Sequence, residues 1–272
     1  MNNSPPTFRR MKRLVPCQGI TLVQHNSLGS WDVFLSLMNS FVGLPPVDVV
    51  RLQDPPSRKG FLPNFAGIKS FYPPTPKPAV AFYVSLSFLS FSAVLPLASS
   101  SSVELFHLDV YTPTGCFGTG APKFRLTNVY SRSLPGSTKS VDPPDALPDV
   151  HFPSLAGGDI NIHNHAVDLL RVISRSEEKA TTPYFDRASD LAYSLLNTPG
   201  VYTRFPLSGP FRSSAIDLAF ANPLIRPAFV SWDATTLHST GSDQVRTHPH
   251  RPGRAGRRTR PLPTHVGQSR LG

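Results

Sequence analysis

Apolar residues form many short strand-like runs and recur at helical spacing in only a few places, which predicts many short strands and few helices. The strand-like runs are ITLVQH at 20 to 25, VDVVRLQ at 47 to 53, residues 79 to 88 and 92 to 97, VELFHLDVY at 103 to 111 and FRLTNVY at 124 to 130. Further runs lie at 154 to 160, 201 to 204, 214 to 220 (SAIDLAF) and 227 to 232. The clearest helix is Trp31 to Val42, where Trp31, Phe34, Leu35, Met38, Phe41 and Val42 form one apolar stripe expected to face the core, with Ser30 as its N-cap. A second helix is expected over Asp186 to Leu196, with Phe185, Ala188, Leu191 and Leu195 on one side, and a shorter helical turn around Ala166 to Ile173. Strands and helices so intermixed predict two packed sheets covered by helices.

One stretch competes with that picture. Ala79 to Ala98 carries no charge and is long enough to cross a bilayer. Yet Val80, Phe82, Val84, Leu86 and Phe88 alternate with Ala81, Tyr83, Ser85 and Ser87, a period of two. Two adjacent strands are expected there, because the serines and Pro96 suit a sheet better than a lipid-facing helix.

Length and composition narrow the class. The 272 residues suffice for one large domain with a full core, and 30 prolines argue against long helices. Pro-Pro pairs at 45, 55, 73 and 143 mark boundaries, and Ser131 to Pro148 reads as a proline-rich surface loop. Cys17 and Cys116 stand far apart with no C-x-x-C pairing, so neither a disulfide framework nor a zinc knuckle is expected, and an intracellular location, nuclear or cytoplasmic, follows. Residues 1 to 18 form a basic, flexible N-terminal segment with no apolar core of a secretory signal behind it.

The formal net charge of +10 is uneven, because residues 245 to 272 hold seven arginines and no Asp, Glu or Lys, which leaves +3 for everything before them. A mildly basic body permits a nucleic-acid substrate without demanding one, whereas the tail resembles a phosphate-binding arm. That tail has no hydrophobic period, and composition shifts abruptly after Gln244, so disordered or frameshifted sequence is expected from 245 onward.

Polar residues gather at strand ends. Asn26 follows ITLVQH, Asp54 follows VVRLQ, Tyr130 follows RLTNV, and Asp159 and Asn161 stand in GGDIN at 157 to 161, with Ser242 and Asp243 closing the folded region. In GGDIN, the buried strand SLA (154 to 156) is expected to give way to a loop at Gly157 and Gly158, placing Asp159 and Asn161 on a rim. Each of these residues also has an ordinary reading as a turn former or a packed ring. Asp217 is harder to explain away, since an acid among Ala215, Ile216, Leu218, Ala219 and Phe220 must face solvent, a partner or a cation. Carboxylates, amides and a phenol at one sheet edge suit hard-cation phosphate chemistry, for which one or two protein carboxylates suffice. By contrast, His163 and His165 read as solvent-facing loop residues, and Lys123 and Arg125 either touch a DNA backbone or lie on a solvated strand face.

In order, LVQHN, VVRLQD, NVYSR, GGDIN, SSAIDLAFAN and GSDQ resemble the serial motifs of the endonuclease/exonuclease/phosphatase superfamily. The segments QHNSLGSWDVFLSLMNSF, LQDPPSRKGFLPNFAGIKSF, EEKATTPYFDRASDL and LLNTPGVYTRFP are similar to the endonuclease domain of fungal non-LTR retrotransposons. The resemblance implies an α/β fold, a four-layered αββα sandwich of two mixed, mainly antiparallel sheets, over residues 19 to 244. It implies a monomer that nicks DNA with Mg²⁺ or Mn²⁺, joined in the intact element to a reverse transcriptase domain.

By the same resemblance, Asp54 and Asn26 would hold the metal, Asp159 would orient and deprotonate the attacking water, and Asn161 and Tyr130 would grip phosphate oxygens. Asp243 would assist at the metal and phosphate, and Asp217 would hold the histidine that protonates or stabilises the leaving group. Position 244 is glutamine where the family carries that histidine, and the family's last strand is missing from the pattern. Glutamine donates a hydrogen bond but carries no proton to transfer, which implies impaired catalysis. Asp54 also departs from the superfamily's usual Glu, a trait of the QDPP wording. Two other readings stay open on sequence alone: an inactive remnant binding nucleic acid through its arginine tail, and a phosphomonoesterase of the same superfamily.

Overall fold

A computed structural model describes residues 20–39, 47–90, 92–97, 104–112, 123–131, 143–169, 172–203, 215–226, 231–235 and 246–250. Along the chain run β1 (Leu22–Asn26), α1 (Trp31–Asn39), β2 (Val49–Gln53), β3 (Ile68–Phe71), β4 (Val80–Ser85), α2 (Leu86–Leu89), β5 (Ala93–Leu97), β6 (Leu105–Tyr111) and β7 (Lys123–Tyr130). There follow α3 (Pro143–Ala146), β8 (Ser154–Asp159), α4 (Arg175–Asp190), β9 (Ser194–Leu195), β10 (Asp217–Ala221), β11 (Ser231–Thr235) and β12 (Arg246–His250). Two six-stranded sheets result, in the orders β11-β12-β1-β2-β4-β3 and β5-β6-β7-β8-β10-β9. Each is antiparallel except for one pair near its middle, β1 with β2 in the first sheet and β7 with β8 in the second.

Strand periodicity sorts the side chains into layers. Leu22, Val49, Phe82, Leu108, Leu126, Leu155 and Ala221 pack between the two sheets. The other face of the first sheet carries Val23, Val50, Leu52 and Tyr83 under Phe34, Leu37 and Met38 of α1. The far face of the second sheet carries Val129, Ala156, Leu218 and Phe220 under Tyr184 and Ala188 of α4. Helix, sheet, sheet, helix is the expected four-layered α/β sandwich.

Several expectations need correction. In α1 the buried face is Val33, Phe34, Leu37 and Met38, while Trp31 and Leu35 of the expected stripe are exposed; Phe41 and Val42 lie outside the described residues. The second helix begins eleven residues early, at Arg175, because Ser174 and Glu177 form a reciprocal capping box and the helix accommodates Pro183. It ends at Asp190, and Ser194–Leu195 pairs with β10 as a short strand. The turn expected around Ala166 is an Asx turn, with Ala166 N donating to Asn164 Oδ1 at 2.8 Å. Residues 201 to 203 form no strand.

The uncharged stretch is indeed two strands, but they are not neighbours: α2 breaks the run, β4 joins the first sheet and β5 the second. Among the described residues no helix is long and apolar enough to cross a membrane. Past position 245, where disorder was expected, β12 lies between β11 and β1, in register Gln24↔Thr247 and Ala234↔Thr247. Ladder pairing needs only backbone N–H and C=O groups, so a segment without apolar alternation can take the place of the strand expected to be missing.

Candidate active site

Between the sheets, polarity changes along each central strand. Pointing inward, β1 presents Leu22, Gln24 and Asn26, and β2 presents Val49, Arg51 and Gln53, so the apolar end comes first and the polar end last. From the opposite sheet, β7 answers with Phe124, Leu126 and Asn128, β8 with Leu155, Gly157 and Asp159, and the reversed β10 with Ala221, Ala219 and Asp217. Both parallel pairs therefore end in polar side chains at the same mouth. A buried polar group without a partner costs on the order of 1–3 kcal/mol, and here the partners come from across the sandwich.

Asn26 Nδ2 donates to Asp159 Oδ2 at 2.9 Å, while Asn26 Oδ1 accepts Leu28 N at 2.8 Å. Gln24 Nε2 donates to Asp217 Oδ1 at 3.0 Å, and Gln53 Nε2 to Asn128 Oδ1 at 2.6 Å. Asn128 in turn donates to Leu52 O and Ala81 O. Asp217 and Asp159 are direct partners in the antiparallel β8·β10 register, and Tyr130 is the partner of Asp159 in the parallel β7·β8 register.

Loop residues complete the rim. Asp54, just after β2, has φ 42°, and Asn161, two residues after β8, has φ 50°; both are residue types that tolerate this left-handed region. Backbone strain of this kind concentrates at functional sites. Asp54 is fixed by its carbonyl, which accepts Ser27 Oγ and Gly29 N, each at 2.7 Å. Asp54 is half-buried, and its carboxylate lies over Gly29, where an added Cβ would sit 3.6 Å from Oδ2. Asn161 Nδ2 donates to Ser131 O at 2.7 Å, and Ser131 N donates to Asp159 O at 2.8 Å, tying the loop back to the strand end.

The structure thus brings Asn26, Asp54, Tyr130, Asp159, Asn161 and Asp217 to one mouth, whereas Asp243 and Gln244 lie outside the described residues. One correction concerns Gly157 and Gly158, which do not turn the chain. β8 runs straight through them, and they are glycines because other atoms occupy the space: a Cβ on Gly157 would lie 2.5 Å from Leu218 O and 2.8 Å from Arg51 Nη1.

Sequence reasoning missed Gln24, Arg51, Gln53 and Asn128, although polar residues at alternate positions of otherwise apolar strands were the available signal. Arg51 is fully buried, and burial pushes its pKa down to about 9, with the charge of Asp217 opposing that shift. His163 is also not simply solvent-facing: Nδ1 lies 3.0 Å from Oδ2 of the fully buried Asp168, whose Oδ1 accepts Ala215 N. Lys123 and Arg125 sit at the far end of β7 from Tyr130. There both cations engage Asp109, at 2.7 Å each, and stack over Phe152.

Beside that cluster, His107 gives a pH-dependent stability. Burial, reinforced by Arg125 and opposed by Asp109, pushes its pKa down to about 4 from 6.5. Between those values the unfolded chain binds a proton that the folded chain refuses, so stability falls as pH drops through the window, by up to about 3 kcal/mol. His107→Gln is expected to remove this component. Urea midpoints at neutral pH and at about pH 4.5 check it.

A divalent cation fits the donor set to a limited extent. Among the described residues no group of three or more His, Cys, Asp or Glu is placed to hold a metal. Mg²⁺, however, asks only one or two carboxylates and keeps several waters. The Asp54 carboxylate and the second lone pair of the Asn26 amide oxygen Oδ1 are the oxygen donors that would hold it.

No protein-family model matches the chain, and no curated protein matches its sequence. Solved structures do match its fold. The endonuclease domain of TRAS1, a telomere-specific non-LTR retrotransposon, superposes with a TM-score of 0.64 at 14% identity, covering 86% of this chain and 99% of that one. The Xenopus laevis APE2 catalytic domain gives a TM-score of 0.60 at 14% identity, over 86% and 94% of the two chains. The AP endonuclease LMAP from Leishmania major gives 0.60 at 13% identity, over 86% and 88%. The chain therefore has the fold of the endonuclease/exonuclease/phosphatase superfamily, among whose members these DNA-processing nucleases stand.

Proposed function

We propose that the chain is a metal-dependent, DNA-nicking endonuclease of the retrotransposon type, in a copy with impaired catalysis. The observation that carries this reading is the hydrogen bond of 2.9 Å from Asn26 to Asp159, which joins the C-terminal ends of the two parallel strand pairs where Asp54, Tyr130 and Asn161 also stand. The shared fold with the TRAS1 endonuclease domain supports the same reading.

In this mechanism Asp159 takes the proton of a water as its oxygen bonds to phosphorus, and the bond from phosphorus to the 3′ oxygen breaks. Asn161 and Tyr130 donate hydrogen bonds to the non-bridging oxygens as negative charge grows on them. Asp54 with Asn26 would hold the Mg²⁺ or Mn²⁺, whose charge offsets that of the phosphate. The departing 3′ oxygen needs a proton, and Gln244, in the place of the histidine that the resemblance implies, has none to give.

Supercoiled plasmid is the test. With Mg²⁺ the chain should relax it slowly, Gln244→His should do so faster, by up to on the order of 10²-fold, and EDTA should stop both. A folded Gln244→His variant that leaves the plasmid supercoiled would refute the assignment. Release of phosphate from a small ester without nicking would favour a phosphomonoesterase.

A further inference from the structure

We infer that Asn128 is a positioning residue of this site: from β7 its side-chain amide clasps β2 and β4 of the opposite sheet and, with Gln53, sets the gap between Asp54 on one sheet and Tyr130 on the other. The inference deepens the nuclease reading and rests on it for its catalytic half.

Three hydrogen bonds build the clasp. Asn128 Nδ2 donates to Leu52 O at 3.1 Å and to Ala81 O at 2.8 Å, and these two residues are register partners in the β2·β4 pair. Asn128 Oδ1 accepts Gln53 Nε2 at 2.6 Å. The amide can face only one way, because turning it over would set Oδ1 against two carbonyl oxygens. Both Asn128 and Gln53 are 0% exposed. Asp54 follows Gln53 directly; its N–H donates to Ala79 O at 2.8 Å, and the carbonyl of Gln53 accepts Ser27 N at 3.0 Å. Asp54 is thereby held in the frame of β1, β2 and β4. Tyr130 stands two residues beyond Asn128 on β7, so Asn128 fastens that frame to the strand that ends in Tyr130.

Physical chemistry supplies the reason for an amide here. Apolar packing is non-directional and would hold the sheets together at this layer as it does one step back, where Leu126 and Phe82 belong to the apolar core between them. Hydrogen bonds add little net stability, but they fix distance and angle, and a buried amide with both donors used permits one arrangement. That difference matters where reacting groups must be spaced. The proposed metal ligands, Asp54 and Asn26, belong to the first sheet, whereas Tyr130, Asp159 and Asn161, proposed to serve phosphate and water, belong to the second. Groups on separate sheets act on one phosphate only while the gap is held, and a misplacement of about 1 Å can cost on the order of 10²-fold in rate. The bond from Asn26 to Asp159 spans β1 and β8, and Asn128 extends the tie to β7, β2 and β4.

Replacing both partners by apolar side chains of similar shape separates positioning from support. Asn128→Leu should lower the thermal midpoint because it strands the Gln53 amide, and Gln53→Met/Asn128→Leu should lower it by less than the two single changes added together. In plasmid nicking, measured in the Gln244→His background, Asn128→Leu and the double variant should both lower kcat by on the order of tenfold or more with KM unchanged. Gln53→Met, which removes one bond of the three, should lower it less. Calorimetric titration with Mn²⁺ should give the same affinity in the parent and in each variant, because both proposed ligands lie in the first sheet. Additive midpoints overturn the tie. A double variant that recovers kcat along with its midpoint makes the pair structural only and overturns the positioning role. Loss of Mn²⁺ affinity in step with kcat overturns the claim that Asn128 sets the gap between the sheets. If Asn128→Leu does not fold, Gln53→Met and the double variant carry the same comparison. A Gln244→His chain that binds no Mn²⁺ and nicks no DNA refutes the nuclease reading and the positioning role, while coupled midpoints would leave the tie standing.

Discussion

Gly158→Ala is expected to cost about 4 kcal/mol or more and to leave most of the chain unfolded or insoluble. A Cβ at this position would stand 1.8 Å from Val129 O and less than 3 Å from Val129 C and N. Neither backbone can retreat. Val129 and Gly158 are register partners in the central parallel pair, Val129 is held on its other side by Leu105 of β6, and Gly158 by Leu218 of β10. Relief would require β7 and β8 to separate, and a domain has only about 5–15 kcal/mol to lose. Gly67→Ala is the control, because a Cβ there meets nothing within 4 Å although φ is +76°. It should cost about 1 kcal/mol through backbone strain alone. Soluble yield and urea midpoints for the two variants decide the matter; a Gly158→Ala protein as stable as Gly67→Ala would show that the strands are not so closely set.

What the sequence made legible, and what it hid, divides along the range of the interactions involved. Strand periodicity is local, so the runs at β1, β2, β6, β7 and β8 were readable within a residue or two, and the layered α/β sandwich followed from them. The polar ends of those strands were readable too, because Asn26, Asp54 and Asp159 stand next to apolar runs. Gly157 and Gly158 were misread as a turn because glycine alone does not say whether it bends a chain or makes room. The atoms that decide, Val129 O and Leu218 O, are distant in sequence. Arg51 was passed over for the same reason: its neighbours Thr127 and Gly157 belong to the other sheet.

The helices failed differently. The second was expected to start only at Asp186, yet Ser174 and Glu177 at capping-box spacing were visible and mark where α4 begins. In α1 two apolar stripes share Phe34 and Met38, and only the docked sheet selects the one with Val33 and Leu37 over the one with Trp31 and Leu35. The separation of β4 and β5 into different sheets likewise depends on α2, a four-residue helix whose Leu86 and Phe88 continue the alternation of Val80, Phe82 and Val84.

Asp159→Asn should reduce the nicking rate on the order of 10²- to 10⁴-fold while leaving the fold intact. The substitution keeps the size and shape of the side chain, and the amide oxygen can still accept Asn26 Nδ2 in place of carboxylate Oδ2. What disappears is the ability to take a proton from water. Stability should hold or rise, because Asp159 faces Asp217 in the β8·β10 register and one of two neighbouring negative charges is removed. Asp159→Ala would confuse the two effects, since it also strands the buried Asn26 amide at about 1–3 kcal/mol. Because the proposed function has Gln244 slowing the parent, the comparison is best made in the Gln244→His background, with thermal midpoints measured alongside. Undiminished nicking by folded Asp159→Asn would remove Asp159 from the chemistry and reduce its bond with Asn26 to one more tie between the sheets.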